Sequence, residues 1–331
     1  MARRERTGKL GAARLARLLK RYGAPADEAV VVGPGVGLDA AAVAVEKGKL
    51  VLASDPVTYA SEEIGTYAVH VNANDIFVSG AEPCWFLADI LLPPDRGGQA
   101  ERVFAQIHRA CTELGIALIG GHTEITPDLP RPIVAGFMVG RAGGEGVLTA
   151  AGVRPGDAVV LTRGVAIEGT AVLAREFEGR LLAHFPKALV GRSKRFLKSP
   201  GLSVGREARI ALRHEVHAMH DPTEGGLLNG LWEMSQASGL EMHLDLERVA
   251  VFPETAALCG HFGLDPLRLL ASGALLIASP SRAAAGLLAA LAAAGIGASV
   301  IASARKGPPG VHWRGGSLTG PVIDEMLKVL A

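Results

Sequence analysis

Apolar residues along this chain fall into short runs, and most of the runs stop at a glycine or an acid. Between residues 9 and 22, Leu10, Leu15, Leu18, Leu19 and Tyr22 share one helical face, arginines and Lys20 take the other, and Gly23 stops the helix. Short strands are predicted at 30–32, 42–45 and 50–53, around a glycine turn and the Lys47-Gly48 turn. From Ile64 to Ser79 apolar positions recur at spacings of three and four, which predicts a helix ending at Gly80. Asp75 shares a face with Val71 there, and an acid on an apolar face needs a cation or hydrogen bonds. A strand over 85–92, a helix over 99–114 and a short strand over 117–119 follow. That strand delivers Gly120-Gly-His-Thr-Glu124 as a turn, before a further strand over 132–139.

Val153-Arg-Pro-Gly-Asp157 is a turn, and it sets an expected boundary between domains 1–150 and 151–331. The second part predicts strands at 158–161, 240–244, 273–278 and 298–303. Its helices are expected at 170–177, 204–212, 226–238 and 282–294, with a basic loop over 191–195 and a short terminal helix over 320–331. The whole reads as an α/β mixture of the α+β type, not a regular βαβ repeat.

Composition narrows the function. Of the 331 residues 49% are hydrophobic and 20% charged, which excludes disorder. Lys plus Arg number 34 against 33 Asp plus Glu, with no basic block interleaved with aromatics, so nucleic acid is not an expected partner. The alanine-rich stretch 283–300 is broken by Gly295 and Gly297 and reads as a helix followed by a strand, so no membrane span is expected and the protein should be cytoplasmic. Cys84, Cys111 and Cys259 are far apart and set in apolar surroundings, as buried reduced thiols are.

Candidate chemistry lies where the apolar runs end. Asp39 follows Gly33-Pro-Gly-Val-Gly37, Asp55 follows an apolar run, Asn74 and Asp75 sit in the 64–79 helix, and Asp221 sits in His220-Asp-Pro-Thr-Glu-Gly-Gly226. Strands ending in carboxylates beside glycine turns can converge acids on one patch, as Mg²⁺ held against a polyphosphate requires. Taken singly, each acid also suits a turn cap. Gly35-Val-Gly37-Leu-Asp-Ala40 fits G-x-G-x-x-A, but too few residues follow for the long helix of a dinucleotide fold. A structural turn and a phosphate-proximal loop both remain open for it. His214, His217 and His220 recur every third residue, yet the run breaks at Pro222, which favours separate histidines over zinc. Asp221 to Gly226 has the form of a tight loop entering a helix whose free amides favour an anion.

The order of these motifs is similar to that of the aminoimidazole ribonucleotide synthase (PurM-like, AIR synthase-related) superfamily. The quoted segments are Gly33-Pro-Gly-Val-Gly-Leu-Asp-Ala-Ala-Ala-Val43, Ser54-Asp55, Val71-Asn-Ala-Asn-Asp-Ile-Phe-Val-Ser-Gly-Ala81, Gly120-Gly-His-Thr123, Arg163 to Ala171, Asp221 to Leu227, and Ala271 to Ile277. The resemblance runs from about Val30 to Pro309 and leans to the hydrogenase maturation (HypE-like) branch. It departs at Leu38 and at His122, where many relatives carry acids, with Glu124 as a compensating acid.

The resemblance implies a two-domain fold in which the N-terminal domain contributes strands to a β-barrel shared by a homodimer. It implies ATP and Mg²⁺ at the junction, and phosphoryl transfer to an oxygen of a small-molecule or carrier-bound acceptor. Asp39, Asp55, Asp75 and Asp221 would be metal residues. Gly35, Gly37, Asp39, Asn74, Gly120, Gly121 and Thr123 would face the nucleotide, and Asp221, His122 and Asp75 the reacting groups. No cysteine follows Cys259, so the cyanide-forming route of the HypE branch would need a thiol from a partner protein. A non-catalytic nucleotide-binding or assembly protein on the same scaffold is the alternative.

Overall fold

Helix α1 (Ile64–Val78) is buried at all 15 of its residues, and the rest of the chain is arranged around it. A helix apolar all round has no face for water and has to be enclosed. This computed structural model describes residues 40–94, 98–143 and 146–330, with Ala13, Ala16, 29–32, Gly35, Gly37 and Leu38 besides. The helix expected over 9–22 lies outside the described residues except at Ala13 and Ala16, both helical, and Asp39 lies outside them too.

On one side of α1 is a six-stranded sheet of β1 (Val30–Val32), β2 (Ala41–Ala44), β3 (Lys49–Val57), β4 (Glu82–Leu92), β5 (Ala117–Ile125) and β6 (Ile133–Ala142). Its order is β1-β2-β3-β6-β4-β5. Helix α2 (Gln99–Leu114) packs beside α1, and Gly65 permits the approach, since a Cβ there would lie 2.6 Å from the Val103 carbonyl oxygen.

On the other side, the second part contains β7 (Asp157–Thr162), α3 (Ile167–Glu176), α4 (Glu178–Leu182), α5 (Lys187–Lys194), α6 (Gly205–Ala211) and β8 (Ala218–His220). There follow α7 (Gly226–Ser238), β9 (Glu241–Leu244), α8 (Pro253–Phe262), β10 (Leu276–Pro280), α9 (Ser281–Ala293), β11 (Ala298–Arg305), β12 (Gly310–Trp313), β13 (Gly316–Leu318) and α10 (Leu327–Leu330). Its seven strands run in the order β13-β12-β9-β11-β7-β10-β8. One hydrophobic core joins Ile64, Tyr67 and Phe77 of α1 to Ile167, Leu173 and Leu202 of the second part. Among the described residues no helix is long and apolar enough to cross a membrane.

Three expectations need correction. The α/β architecture is present, but no barrel is: β1 and β5 are opposite edges of an open sheet and do not pair. Three-residue β1 could not close against nine-residue β5 without leaving most of that edge unpaired. Gly120-Gly121-His122-Thr123 is not a turn after a short strand but the middle of β5, which pairs with β4 in parallel through Ile125. The basic stretch 191–195 belongs to α5 and the turn after it. Arg192 there pairs with Glu254 at 2.6 Å and Lys194 with Glu178 at 2.7 Å, so ion pairs to acids distant in the chain support a helix where the charge suggested a loop.

The two parts are joined by polar contacts at α1 as well as by apolar packing. The Asn74 side-chain amide donates to the Leu202 carbonyl at 3.0 Å, and its oxygen accepts from Val204 N–H at 3.0 Å. Segment 200–203 is held from behind by Arg163, whose guanidinium donates to the carbonyls of Pro200, Gly201 and Ser203 and pairs with buried Glu207. Arg163 adopts φ 62°, a left-handed conformation disfavoured for a non-glycine residue, and these contacts hold it there. Gly205 lets the loop close on α1, because a Cβ would lie 2.6 Å from the Phe77 ring.

Asn74→Ala would strand a buried N–H and a buried carbonyl at once, a loss of about 2–4 kcal/mol. Urea unfolding should show this as a lower midpoint at unchanged slope. A change below about 0.5 kcal/mol would mean that the Asn74 bridge does not hold the parts together.

Candidate functional site at the buried helix

Asp55 lies within β3, on the face turned toward α1, where Val51, Ala53 and Val57 are buried. Asn72 fixes it by the backbone: Oδ1 accepts from Asp55 N–H at 2.8 Å, and Nδ2 donates to the Asp55 carbonyl at 3.0 Å and to that of Ala68 at 2.8 Å. The neighbouring strand must carry glycine at 136, since a Cβ there would sit 2.3 Å from Asn72 Nδ2. Asp75, buried, is one helical turn past Asn72. Asn74 points instead to the second part, with both ends of its amide engaged there.

The glycine strand β5 sits apart from these acids. Strand register places Asp55, Gly136, Ala88 and Gly121 in one row across the sheet and Pro56, Ala135, Asp89 and His122 in the next. Pleating therefore turns Asp55 and His122 to opposite faces, and three strand spacings, about 14 Å, separate β3 from β5. Gly121 adopts φ 137°, and a Cβ would lie 2.0 Å from the Ala88 carbonyl oxygen, so only glycine fits beside β4. His122 N–H donates to Asp89 Oδ1 at 3.0 Å, and the His122 ring lies 3.4 Å from the Glu124 carboxylate. Gly120, Thr123 and the rest of β5 are exposed. Asp89 was missed in the sequence; its signal is a lone acid inside the apolar run 85–92.

A second polar group surrounds the Asp221 loop. His220 ends β8, Asp221 follows it, and each is 2% exposed. His220 Nε2 lies 3.1 Å from Glu233 on α7, and Glu233 also accepts from Asn229 Nδ2 at 3.1 Å. Gly37 reaches this place from the first part: a Cβ on it would lie 2.6 Å from the Glu233 carbonyl oxygen. His217 instead takes Asp157 at 2.9 Å, so the histidine run has separate partners, as the break at Pro222 implied.

Between these groups lies a buried seam that the motifs did not single out. Burial, chiefly, holds the Glu168 carboxyl at about 7, with Asp324 and Glu224 adding repulsion and Ser272 opposing them. Asp324 is likewise held at about 7 by burial, although it accepts N–H bonds from Gly225 at 2.7 Å and Met326 at 2.8 Å. Tyr67 and His70, one turn apart on α1, are buried too. Tyr67 Oη and His70 Nδ1 have no hydrogen-bond partner among the described residues. Burial and the nearby Glu168 raise the Tyr67 hydroxyl, and burial pushes His70 down to about 4. Such perturbed, unsatisfied groups mark a functional place more often than a structural one. In the sequence, Glu168 was one charge in a helix start, and Asp324 part of the charged side of a tail.

With this geometry in place, comparison with known proteins is decisive for ancestry. Residues 37–142 match the N-terminal domain of AIR synthase related proteins, and residues 154–314 match their C-terminal domain. The chain is a member of the AIR synthase related family. Within that family it stands with the HypE branch, as the motifs implied. It is 30% identical over 279 residues to the carbamoyl dehydratase HypE of Rhizobium leguminosarum bv. viciae, covering 79% of this chain and 75% of that protein. A structure of the hydrogenase maturation protein HypE in complex with ATP superposes with TM-score 0.68 at 21% identity, over 98% of each chain. A ThiL structure complexed with AMPPCP and TMP gives 0.73 at 20% identity, over 96% of this chain and 99% of that one.

The donor set fits a hard divalent cation held against phosphates. Among the described residues no three His, Cys, Asp or Glu side chains converge to hold a metal. Mg²⁺ beside a polyphosphate takes one or two carboxylates and fills its shell with phosphate oxygens and water. Asp55, whose backbone Asn72 holds, and Asp75, one turn past Asn72, are the carboxylates that would be asked to supply them. Of the three cysteines expected to be buried, Cys84 is only partly so; burial pushes Cys111 up to about 11 and Cys259 up to about 12, which leaves those two thiols protonated at neutral pH.

The raised carboxyls predict a pH dependence. Unfolded, Glu168 titrates near 4.5, and folded it titrates at about 7. Its contribution to stability is fully present below the unfolded value and is lost as pH rises through the folded value. Glu168→Gln removes that loss. At pH 8 the variant should melt a few °C above the parent, on the order of 2 °C per kcal/mol for a chain of this size, and the gap should vanish near pH 4. A variant that melts lower at pH 8 by as much as at pH 4 would contradict the seam as described.

Proposed function

We propose that this chain is an ATP- and Mg²⁺-dependent enzyme that transfers a phosphoryl group to an oxygen of a small-molecule or carrier-bound acceptor. The observation that carries this reading is the two-sided use of α1. Asp75 and the Asn72 that fixes Asp55 lie on it, while Tyr67 on the same helix meets the buried Glu168 seam. Use of ATP is supported by membership of a family whose solved members include complexes with ATP and with AMPPCP.

ATP supplies the phosphoryl group, and Mg²⁺ offsets charge on the phosphates. In this reading residues 1–150 are the nucleotide part and 151–331 the acceptor part. Asp55 and Asp75, joined by Asp39 and Asp221, hold the cation. In this reading Gly35 lies on the loop that approaches the nucleotide, whereas Gly37 is packed on Glu233, Gly121 on Ala88, and Gly120 and Thr123 lie on β5 apart from Asp55. Asn74, committed to 202–204, contributes by locking the two parts together. Glu168, half ionised at neutral pH, accepts the acceptor's proton at a carboxylate oxygen. Tyr67 and His70 orient the acceptor in a seam that excludes water.

The exposed edge of β5 supports a homodimer. Leu118, Ile119 and Ile125 are 38, 56 and 60% exposed on a nine-residue strand, an edge that proteins ordinarily cover. A cytoplasmic setting and a partner protein that brings a thiol or carrier-bound acceptor complete the proposal. His122 in place of an acid favours one second reading, a nucleotide-binding assembly protein without turnover.

Calorimetry and phosphate release with Mg²⁺ and ATP separate the two readings. The enzyme reading expects Asp75→Asn to cut Mg²⁺-dependent turnover by roughly 100-fold or more while the melting temperature moves only a few °C. Equal hydrolysis by parent and variant at saturating metal removes Asp75 from the site. ATP binding with no phosphate release by either protein, given the acceptor's absence excluded by a substrate screen, supports the assembly reading.

A further inference from the structure

Away from α1, the second part carries a cleft of about 450 Å³ that the proposed reaction does not use. Antiparallel pairing sets Ser303 of β11 beside His243 of β9, and parallel pairing sets His312 of β12 on its other side. Met242 and Leu244 alternate with them into the core, so these three side chains share the outward face of the sheet. Arg248, Arg305, Arg314 and Trp313 complete the lining.

The charge of this cleft is unbalanced. Asp245 pairs with Arg248 at 3.1 Å. Glu241 is bonded to His243 at 2.8 Å and lies 3.9 Å from His312. Among the described residues neither Arg305 nor Arg314 has a carboxylate within ion-pair distance; Arg305 faces Glu241 across the β9–β11 pairing and its charge helps lower the Glu241 carboxyl, while Arg314 has no acid opposite it. The His243 and His312 rings stand 5.6 Å apart, tilted by 35°, a pair that forms a polar wall next to these arginines. Guanidinium forks match phosphate oxygens in pairs, and the volume is that of a small-molecule site.

We propose that this cleft is a binding site for a small phosphorylated molecule with a planar ring, with Arg305 and Arg314 taking the phosphate and the His243–His312 wall taking the ring. Glu241 is the opposing charge: it orients the imidazoles and keeps affinity below what the arginines alone would give. The inference stands on this cleft alone and does not depend on the proposed phosphoryl transfer.

Phenyl phosphate tests it, by calorimetry on the full chain, with inorganic phosphate and phenol as controls. The expected result is saturable 1:1 binding of phenyl phosphate with Kd below about 1 mM, and weaker binding of either control. The Arg305→Ala/Arg314→Ala pair should weaken binding tenfold or more, and Glu241→Gln should strengthen it several-fold. Far-UV circular dichroism and the melting temperature, measured on the same samples, should be unchanged and report that each variant is folded. No binding of phenyl phosphate to the parent chain, or affinity that neither variant alters while the variants stay folded, would overturn the proposal.

Discussion

A 15-residue helix without a solvent face imposes a cost on any chain that contains it, since every side of α1 has to be covered by something else. The six-stranded sheet and α2 cover part of it, and the loop at 202–204 with α3 and α6 covers the remainder. One consequence is that the core crosses between the two parts, so neither can shed the other without exposing Tyr67 and Phe77. A second consequence is chemical. Polar residues on such a helix, Tyr67, His70, Asn72, Asn74 and Asp75, are all forced into places where water cannot satisfy them. Asn72 and Asn74 answer with protein partners, one toward β3 and one toward Val204. Tyr67 Oη and His70 Nδ1 have no hydrogen-bond partner among the described residues.

The same enclosure explains why carboxyls there behave unlike surface acids. Burial raises both the Glu168 carboxyl at the start of α3 and the Asp324 carboxyl at the entrance to α7 to about 7, and Asp324 adds repulsion at Glu168. Holding acids in that state costs folding energy at neutral pH. Asp324 comes from the far C-terminal segment and caps Gly225 at the entrance to α7, so the tail is part of the wall of this place.

Much of the fold was legible from periodicity. The helices over 64–78, 99–114 and 226–238 carry long patterns with glycine stops, and the structure has them within a residue or two of expectation. Reading failed where local chemistry imitated something else. Paired glycines at 120–121 signal a turn, but here Gly121 is demanded by the close approach of Ala88 inside a strand. The basic run at 191–195 lacks apolar spacing, and its helix is stabilised by distant acids such as Glu254 that no local window contains. The hairpin of β12 and β13 is too short and mixed to show any period. Of the candidate site, Asp55 and Asp75 were visible as acids in apolar settings, whereas Glu168 and Asp324 owe their character to burial, a property of the folded chain alone. The separation of His122 from Asp55 depends on strand order, which spacing along the chain does not reveal.

The most direct test is a crystal structure with Mg²⁺ and a non-hydrolysable ATP analogue. The account predicts the phosphates beside Asp55 and Asp75, with the γ-phosphate directed toward Tyr67, His70 and Glu168 and space for an acceptor beyond it. An analogue bound at another surface, with Asp55 and Asp75 remote from both metal and phosphate, would contradict it.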